Sequence, residues 1–157
     1  MATVKQIIKR FELNEIGVTY STGRKYPKNP ADRIQIKCSY DAYNVLGSYY
    51  TQFLREESHA ILLNRSNQVI GVFMLSLGGT TGTIIDAKIV FGVAIASAAC
   101  SVILSHSHPS GNRYPSEADI RITKSLIEAG KHLNINVLDH LIITPSDYLS
   151  MADNGDI

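Results

Sequence analysis

Short apolar runs alternate with longer segments of helical periodicity from residue 39 to residue 144, and this alternation constrains the fold most. The runs at residues 58–64 and 69–77 are separated only by the polar, turn-forming residues 65–68, so they predict a β-hairpin. Two further strands are predicted at residues 101–105 and 136–144. No internal repeat interrupts this succession.

Three helices are predicted around these strands, at residues 39–52, 86–99 and 116–133. Ser39, Asp86 and Ser116 stand at their starts, and their short polar side chains suit the N-cap position. The second helix is apolar nearly all round, so we expect it to be buried on more than one side. The order helix, hairpin, helix, strand, helix, strand predicts an α/β sandwich with a mixed sheet flanked by helices.

Composition excludes several classes of protein. With 157 residues, 45% of them hydrophobic, the chain can form a core without a disulfide or structural metal. Cys38 and Cys100 form no CxxC pair, which argues against a thiolate zinc site. No apolar run reaches the roughly 18 residues of a membrane span, and no signal peptide is visible, so we expect a cytoplasmic protein without membrane contact. The glycine-rich stretch at residues 78–82 lacks the spacing of a phosphate-binding loop.

Charge divides the chain into two parts. Residues 1–37 carry eight Lys or Arg and three acids, giving +5, whereas residues 38–157 carry seven and eleven, giving −4. We therefore predict a basic N-terminal extension (1–37), with a short strand near residues 15–20, and one domain (38–157). Such an extension could contact DNA, but its scattered charges equally fit a solvated, loosely packed segment.

The chemistry is concentrated after the strand at residues 101–105. His106 and His108 are two residues apart, so in extended geometry their rings point the same way and can converge on one ion. Asp119 lies in the first turn of the next helix, which the intervening loop can bring back to the strand end. Two histidines and one carboxylate leave a coordination position open for water, as in catalytic zinc sites. The same residues also permit a simpler interpretation, because Ser116 and Asp119 fit a capping box.

A zinc site of this kind needs a carboxylate outside the metal's ligand set to accept and return protons. Glu56 and Glu57 stand at the entry to the strand at residues 58–64, and strand alternation lets only one of them face the site. Ser116 could stabilise an oxyanion if its hydroxyl is not fully used as a helix cap. Both glutamates could also be plain solvated charges.

These motifs resemble a known family. His106, His108, Ser116 and Asp119 reproduce the HxH-x7-S-x2-D pattern of the JAMM (JAB/MPN) metalloprotease superfamily. The wider string SHSHPSGNRYPSEADIRITKSLIEAGKHLNINVLDHLIIT is similar to the RadC branch, where HNHPSG, a PS-x-x-D helix start and LDHLI occur together. The resemblance continues upstream through LREESHAILLNRSNQVIG and covers residues 40–150.

The resemblance implies a cytidine-deaminase-like JAB/MPN α-β-α sandwich that holds Zn²⁺. Its zinc ligands match His106, His108 and Asp119, and its active-site serine matches Ser116. Its glutamate falls on Glu56, with Glu57 as the second choice. The recurrent Asp-His of its last strand matches Asp139 and His140, and His140 could support the pocket or simply be a histidine satisfied in the core.

Three functions follow as hypotheses. The first is a zinc-dependent metallohydrolase that cleaves an amide or isopeptide bond of a peptide or protein substrate. The second is a DNA-repair or mobile-element accessory protein that binds DNA or a partner without hydrolysis. RadC proteins often carry a DNA-binding helix-hairpin-helix module, which we do not find in residues 1–37, so the resemblance supports this role less. The third is an inactive assembly domain, and self-association as a homo-oligomer stays open.

Overall fold

The computed structural model describes residues 29–78 and 85–157. Within them, a 3-10 turn at Pro30–Asp32 precedes three helices, α1 (Ser39–Leu46), α2 (Ala87–Ala96) and α3 (Glu117–Leu133). The described strands are β1 (Glu57–Leu63), β2 (Val69–Leu77), β3 (Ser101–Ser107), β4 (Asn136–Ile143) and β5 (Tyr148–Ser150). None of the described helices is long and apolar enough to cross a membrane.

The five strands form one mixed sheet in the order β2-β1-β3-β4-β5. β1 pairs antiparallel with both β2 and β3, β3 pairs parallel with β4, and β4 pairs antiparallel with β5. β3 is therefore the central strand, and all seven of its residues are buried. The predicted hairpin of β1 and β2 is confirmed, with Asn67 in its turn adopting a positive φ of 54°.

Apolar side chains alternate along the strands and build a core on each face of the sheet. On the first face, Ala60 and Leu104 pack with Phe91 of α2 and Leu126 of α3. On the second face, apolar side chains of β1, β3 and β4 pack with α1; they are Ile61, Leu63, Ile103, Leu141 and Ile143, with Ala42 and Leu46 from the helix. Helices thus cover both faces, which confirms the predicted α-β-α sandwich with a mixed sheet.

The first helix is shorter than predicted. α1 ends at Leu46, six residues before residue 52, and Gly47 takes the C-cap position. The N-cap is Cys38 and not Ser39, because the Asp41 carboxylate accepts the backbone N–H of Cys38 at 3.3 Å. The hydroxyl of Ser39 instead bonds the carboxylate of Asp153 at 2.6 Å, so Ser39 ties the helix start to the C-terminal residues.

The expectation that the second helix is buried on several sides was wrong. α2 buries Val90, Phe91 and neighbours against the first face of the sheet, but Ile89 and Ile95 on its outer side are 41% and 61% exposed. No described element covers that outer side. Its N-cap, Asp86, is confirmed, since the carboxylate accepts the Lys88 N–H at 2.8 Å.

The remaining differences concern the end of α2, which is Ala96 and not residue 99 as predicted, the strand ends and the start of the chain. β3 runs to Ser107, two residues beyond its predicted end, and β5 was not predicted, because three residues carry no periodic signal. Next to the hairpin turn, Ile36 is buried and its N–H donates to Asn67, so this part of the predicted extension packs on the domain. The predicted strand at residues 15–20 lies outside the described residues, as does most of the glycine-rich stretch.

Candidate metal centre

The two histidines of the HxH motif lie at the C-terminal end of β3, the central strand. His106 belongs to the strand and is buried at 1% exposure, whereas His108 follows its end and is partly exposed. Ser58 of β1 pairs directly with His106, and Ile142 of β4 does so on the other side. His106 thus lies between two neighbouring strands, and its ring contacts the rings of His108 and His140 on the face that α3 covers.

α3 supplies the carboxylate. Ser116 is its N-cap, and the Ser116 hydroxyl accepts the Asp119 N–H at 3.2 Å. In return, the Ser116 N–H and hydroxyl donate to Oδ2 of Asp119 at 2.7 Å and 2.6 Å. This reciprocal capping box fixes the Asp119 side chain in the first helical turn, where it faces the two imidazoles.

The three ligand atoms stand close enough to share one ion. Nε2 of His106 lies 2.9 Å from Nε2 of His108 and 3.4 Å from Oδ1 of Asp119. Nε2 of His108 lies 3.9 Å from Oδ2 of Asp119. Tetrahedral ligands at usual zinc distances are about 3.3–3.6 Å apart, so small shifts complete a three-ligand set. His106, His108 and Asp119 therefore form a group that could hold a metal ion.

The hydrogen bonds of His108 favour this use of its ring. Nδ1 of His108 lies 2.6 Å from the backbone carbonyl oxygen of Asn112. Because a carbonyl can only accept, Nδ1 carries the proton and donates it. In the neutral ring, Nε2 then keeps its lone pair and faces the other two ligand atoms, as a metal-binding imidazole requires.

Burial sets the protonation of the other histidines at the site. Burial lowers the pKa of His106 to about 4; the charge of Asp119 opposes this effect, and His108 adds to it. Burial also lowers the pKa of His140 well below its usual value, and His106 and His108 contribute further. Both rings are therefore neutral near pH 7, which is the protonation state that metal binding needs.

Strand alternation assigns the two glutamates to opposite faces of the sheet. Along β1, Ala60 contributes to the first face, which is also the face of His106, and His59 lies next to Tyr50 on the second face. If this alternation continues to Glu56, which immediately precedes β1, we expect its side chain on the face of His106. Glu57 is on the second face near Tyr50, where burial chiefly raises the pKa of the Tyr50 hydroxyl and the Glu57 charge adds to the rise.

One contributor at the site was absent from the sequence prediction. Thr123 is completely buried, and its hydroxyl contacts both Nδ1 of His140 and the carbonyl oxygen of Asp119 at 2.6 Å. The sequence spacing could have indicated this residue, because Thr123 is four residues after Asp119 and thus on the same side of the helix. His140, predicted either to support the pocket or to be satisfied in the core, bonds Nδ1 of His106 at 2.8 Å.

The fold and the site together define an α-β-α sandwich with a His-His-carboxylate group at the end of its central strand. Residues 36–156 match the family model of the RadC-like JAB domain. The chain belongs to this family, as its motifs predicted.

Curated relatives agree with this assignment. The chain is 42% identical over 121 residues to the UPF0758 protein of Flavobacterium johnsoniae, covering 77% of this chain and 53% of that protein. It is 36% identical over 143 residues to the UPF0758 protein of Salinibacter ruber, covering 90% of this chain and 61% of that protein. The chain thus spans about half to three fifths of these relatives, and their name states no activity.

Proposed function

We propose that this protein is a zinc-dependent metallohydrolase of the JAMM type, which cleaves an amide or isopeptide bond in a peptide or protein substrate. The convergence of the His106, His108 and Asp119 ligand atoms supports this proposal most directly. Two free cysteines fit a reducing compartment, so we place the activity in the cytoplasm.

The three ligands would hold the ion with one side open. His106 is fully enclosed, but the side chains of His108 and Asp119 are 13% and 21% exposed, so a substrate can approach from their side. A zinc ion bound there would lower the pKa of a coordinated water to about 7 and polarise the substrate carbonyl.

Glu56 is the proposed general base. Glu56 immediately precedes β1, and continued strand alternation would direct its side chain to the face of the histidines, outside the ligand set. From there it would accept a proton from the attacking water and return it to the leaving amine, which lets both halves of the reaction proceed near neutral pH.

Ser116 is proposed to stabilise the oxyanion of the tetrahedral intermediate. In the structure its hydroxyl donates to Asp119 Oδ2, so this role requires the hydroxyl to turn from the carboxylate toward the substrate oxygen. If Asp119 held a metal ion, its carboxylate would share charge with the ion and would attract the hydroxyl proton of Ser116 less strongly. The Ser116 backbone N–H, at 2.7 Å, would still orient Asp119.

Substitution of the two neighbouring glutamates tests the assignment. The zinc-loaded wild type, Glu56→Gln and Glu57→Gln are compared with a panel of fluorogenic peptide-amide and isopeptide substrates, and zinc content is measured for each. We expect Glu56→Gln to keep its zinc but lose about 10²–10⁴-fold in kcat, because a positioned base contributes that much. Glu57→Gln, which differs by one position and faces Tyr50, serves as the matched control and should retain activity.

Two results would contradict this proposal. Turnover by Glu56→Gln at the wild-type rate would remove Glu56 from the base role. A zinc-loaded wild type that hydrolyses nothing in the panel would argue against the hydrolase itself.

A further inference from the structure

A continuous series of short hydrogen bonds joins the two elements that carry the metal ligands. It starts at the backbone carbonyl of Asp119 on α3, passes through the Thr123 hydroxyl and the His140 ring, and ends at Nδ1 of His106 on β3. The three distances are 2.6 Å, 2.6 Å and 2.8 Å. Thr123 and His140 are both completely buried, so water does not compete for these bonds.

Starting from the Asp119 carbonyl, a direction can be assigned to each bond of the series. The carbonyl oxygen of Asp119 can only accept, so the Thr123 hydroxyl donates its single proton there; its other neighbour, Sδ of Met151, is 3.9 Å away and a weak acceptor. With its proton used, the Thr123 oxygen accepts from Nδ1 of His140.

The same logic continues through the second ring. A neutral His140 that is protonated on Nδ1 presents a lone pair on Nε2, which accepts the Nδ1 proton of His106. His106 is then protonated on Nδ1, and its Nε2 lone pair faces Asp119 and, at 2.9 Å, Nε2 of His108. Because the Nδ1 proton of His108 goes to the Asn112 carbonyl, this short contact between two nitrogen lone pairs needs a shared proton or a metal ion between them. In this arrangement the backbone carbonyl of Asp119 determines which ring nitrogen of His106 is free to bind a metal.

We propose that Thr123 and His140 are positioning residues that fix the tautomer and orientation of His106 and couple it to the helix turn that carries Asp119. This inference rests on the metal-binding part of the proposed function and is independent of which bond is hydrolysed. Neither residue contacts the substrate in this arrangement. Their effect is exerted on metal affinity, through a ligand that would otherwise have to select its tautomer and ring angle on binding.

Removal of one hydroxyl tests the proposal. The zinc dissociation constants of the full chain and of Thr123→Val and Thr123→Ser are measured by competition with a chromogenic chelator. Valine keeps the shape of the side chain but removes the hydroxyl, so we expect Thr123→Val to bind zinc about 10–100-fold more weakly. Thr123→Ser retains the hydroxyl and should stay within about threefold of the wild type.

Thr144→Val controls for the general cost of losing a buried threonine hydroxyl. Thr144 is 3% exposed, and its hydroxyl also donates to a backbone carbonyl, that of Asp147, at 2.8 Å. Its hydroxyl has no bond to His106 or His140. Thr144→Val should therefore lose comparable stability in thermal unfolding while its zinc affinity is unchanged. Equal zinc affinity of Thr123→Val and wild type, or an equal loss in Thr144→Val, would overturn the proposal.

The tautomers give a second readout that needs no variant and no bound metal. Nitrogen chemical shifts of the ¹⁵N-labelled imidazoles in the metal-free wild type should show His140 protonated on Nδ1 and not on Nε2. His140 protonated on Nε2 would overturn the proposal whether or not the protein binds zinc. A wild type that binds no zinc but shows the expected His140 tautomer would instead contradict the proposed function and leave the hydrogen-bond series established.

Discussion

At the scale of single residues, His59 shows how the two faces of the sheet differ. It lies on β1 at 2% exposure, on the face opposite the metal ligands, with its ring 4.8 Å from the ring of Tyr50. Nδ1 of His59 is buried with no hydrogen-bond partner among the described residues. Such an atom costs free energy in the folded state, whereas the histidines of the site have partners for their ring nitrogens.

His59 predicts a loss of stability in acid. Burial lowers its folded-state pKa from 6.5 to about 4. Below about pH 6.5 the His59 imidazole is protonated in the unfolded chain but stays neutral in the folded chain. The free energy of unfolding therefore falls as the pH drops from about 6.5 to about 4. From pH 7 to pH 5, we expect the unfolding free energy of the wild type to fall by about 1–2 kcal/mol more than that of His59→Phe.

Urea unfolding at the two pH values, with metal absent, measures this difference. His106 and His140 also have lowered pKa values and add to the acid sensitivity of both proteins, so only the difference between variant and wild type reports on His59. The same pH dependence in His59→Phe and wild type would contradict this account.

At the scale of helices and strands, strong local signals gave accurate predictions. β2 and α3 have the predicted bounds, or lie within one residue of them, because each combines a long periodic pattern with a clear start and end. α1 was predicted too long, because Gly47 ends the helix at its C-cap. The exposed side of α2 was not predictable, because an apolar sequence alone does not show which neighbours are missing.

The cap of α3 links helix stability to the site, and this link can be tested. Ser116→Ala removes the hydroxyl that accepts the Asp119 N–H and donates to its carboxylate, so we expect a loss of about 1 kcal/mol in unfolding free energy. Zinc affinity should also fall, by about tenfold, because Asp119 loses one of the two donors that orient it. Denaturant unfolding and chelator competition measure the two effects.

Asp86→Ala is the matched control for this prediction. Asp86 caps α2 in a similar way, through the Lys88 N–H, but it is not among the contacts of the metal ligands. It should lose comparable stability with unchanged zinc affinity. A Ser116→Ala protein that keeps full zinc affinity would show that the capping box serves the helix alone.

At the scale of the whole molecule, the site depends on contacts between elements distant in sequence. The spacing of His106, His108 and Asp119 was enough to predict that these side chains can converge, because strand alternation and a helix cap fix their directions locally. The side chain of His140 could not be placed in the same way. Its contact with His106 depends on the parallel register of β3 with β4 and on the depth at which Thr123 of α3 packs.

Metal content tests the central claim most directly. The protein would be purified without a metal-affinity tag, and its metals measured by plasma mass spectrometry beside His106→Ala and Asp119→Ala, with circular dichroism to confirm folding. We predict near-stoichiometric zinc in the wild type and its loss from both folded variants. A wild type that takes up no metal, even after zinc is added, would contradict the account.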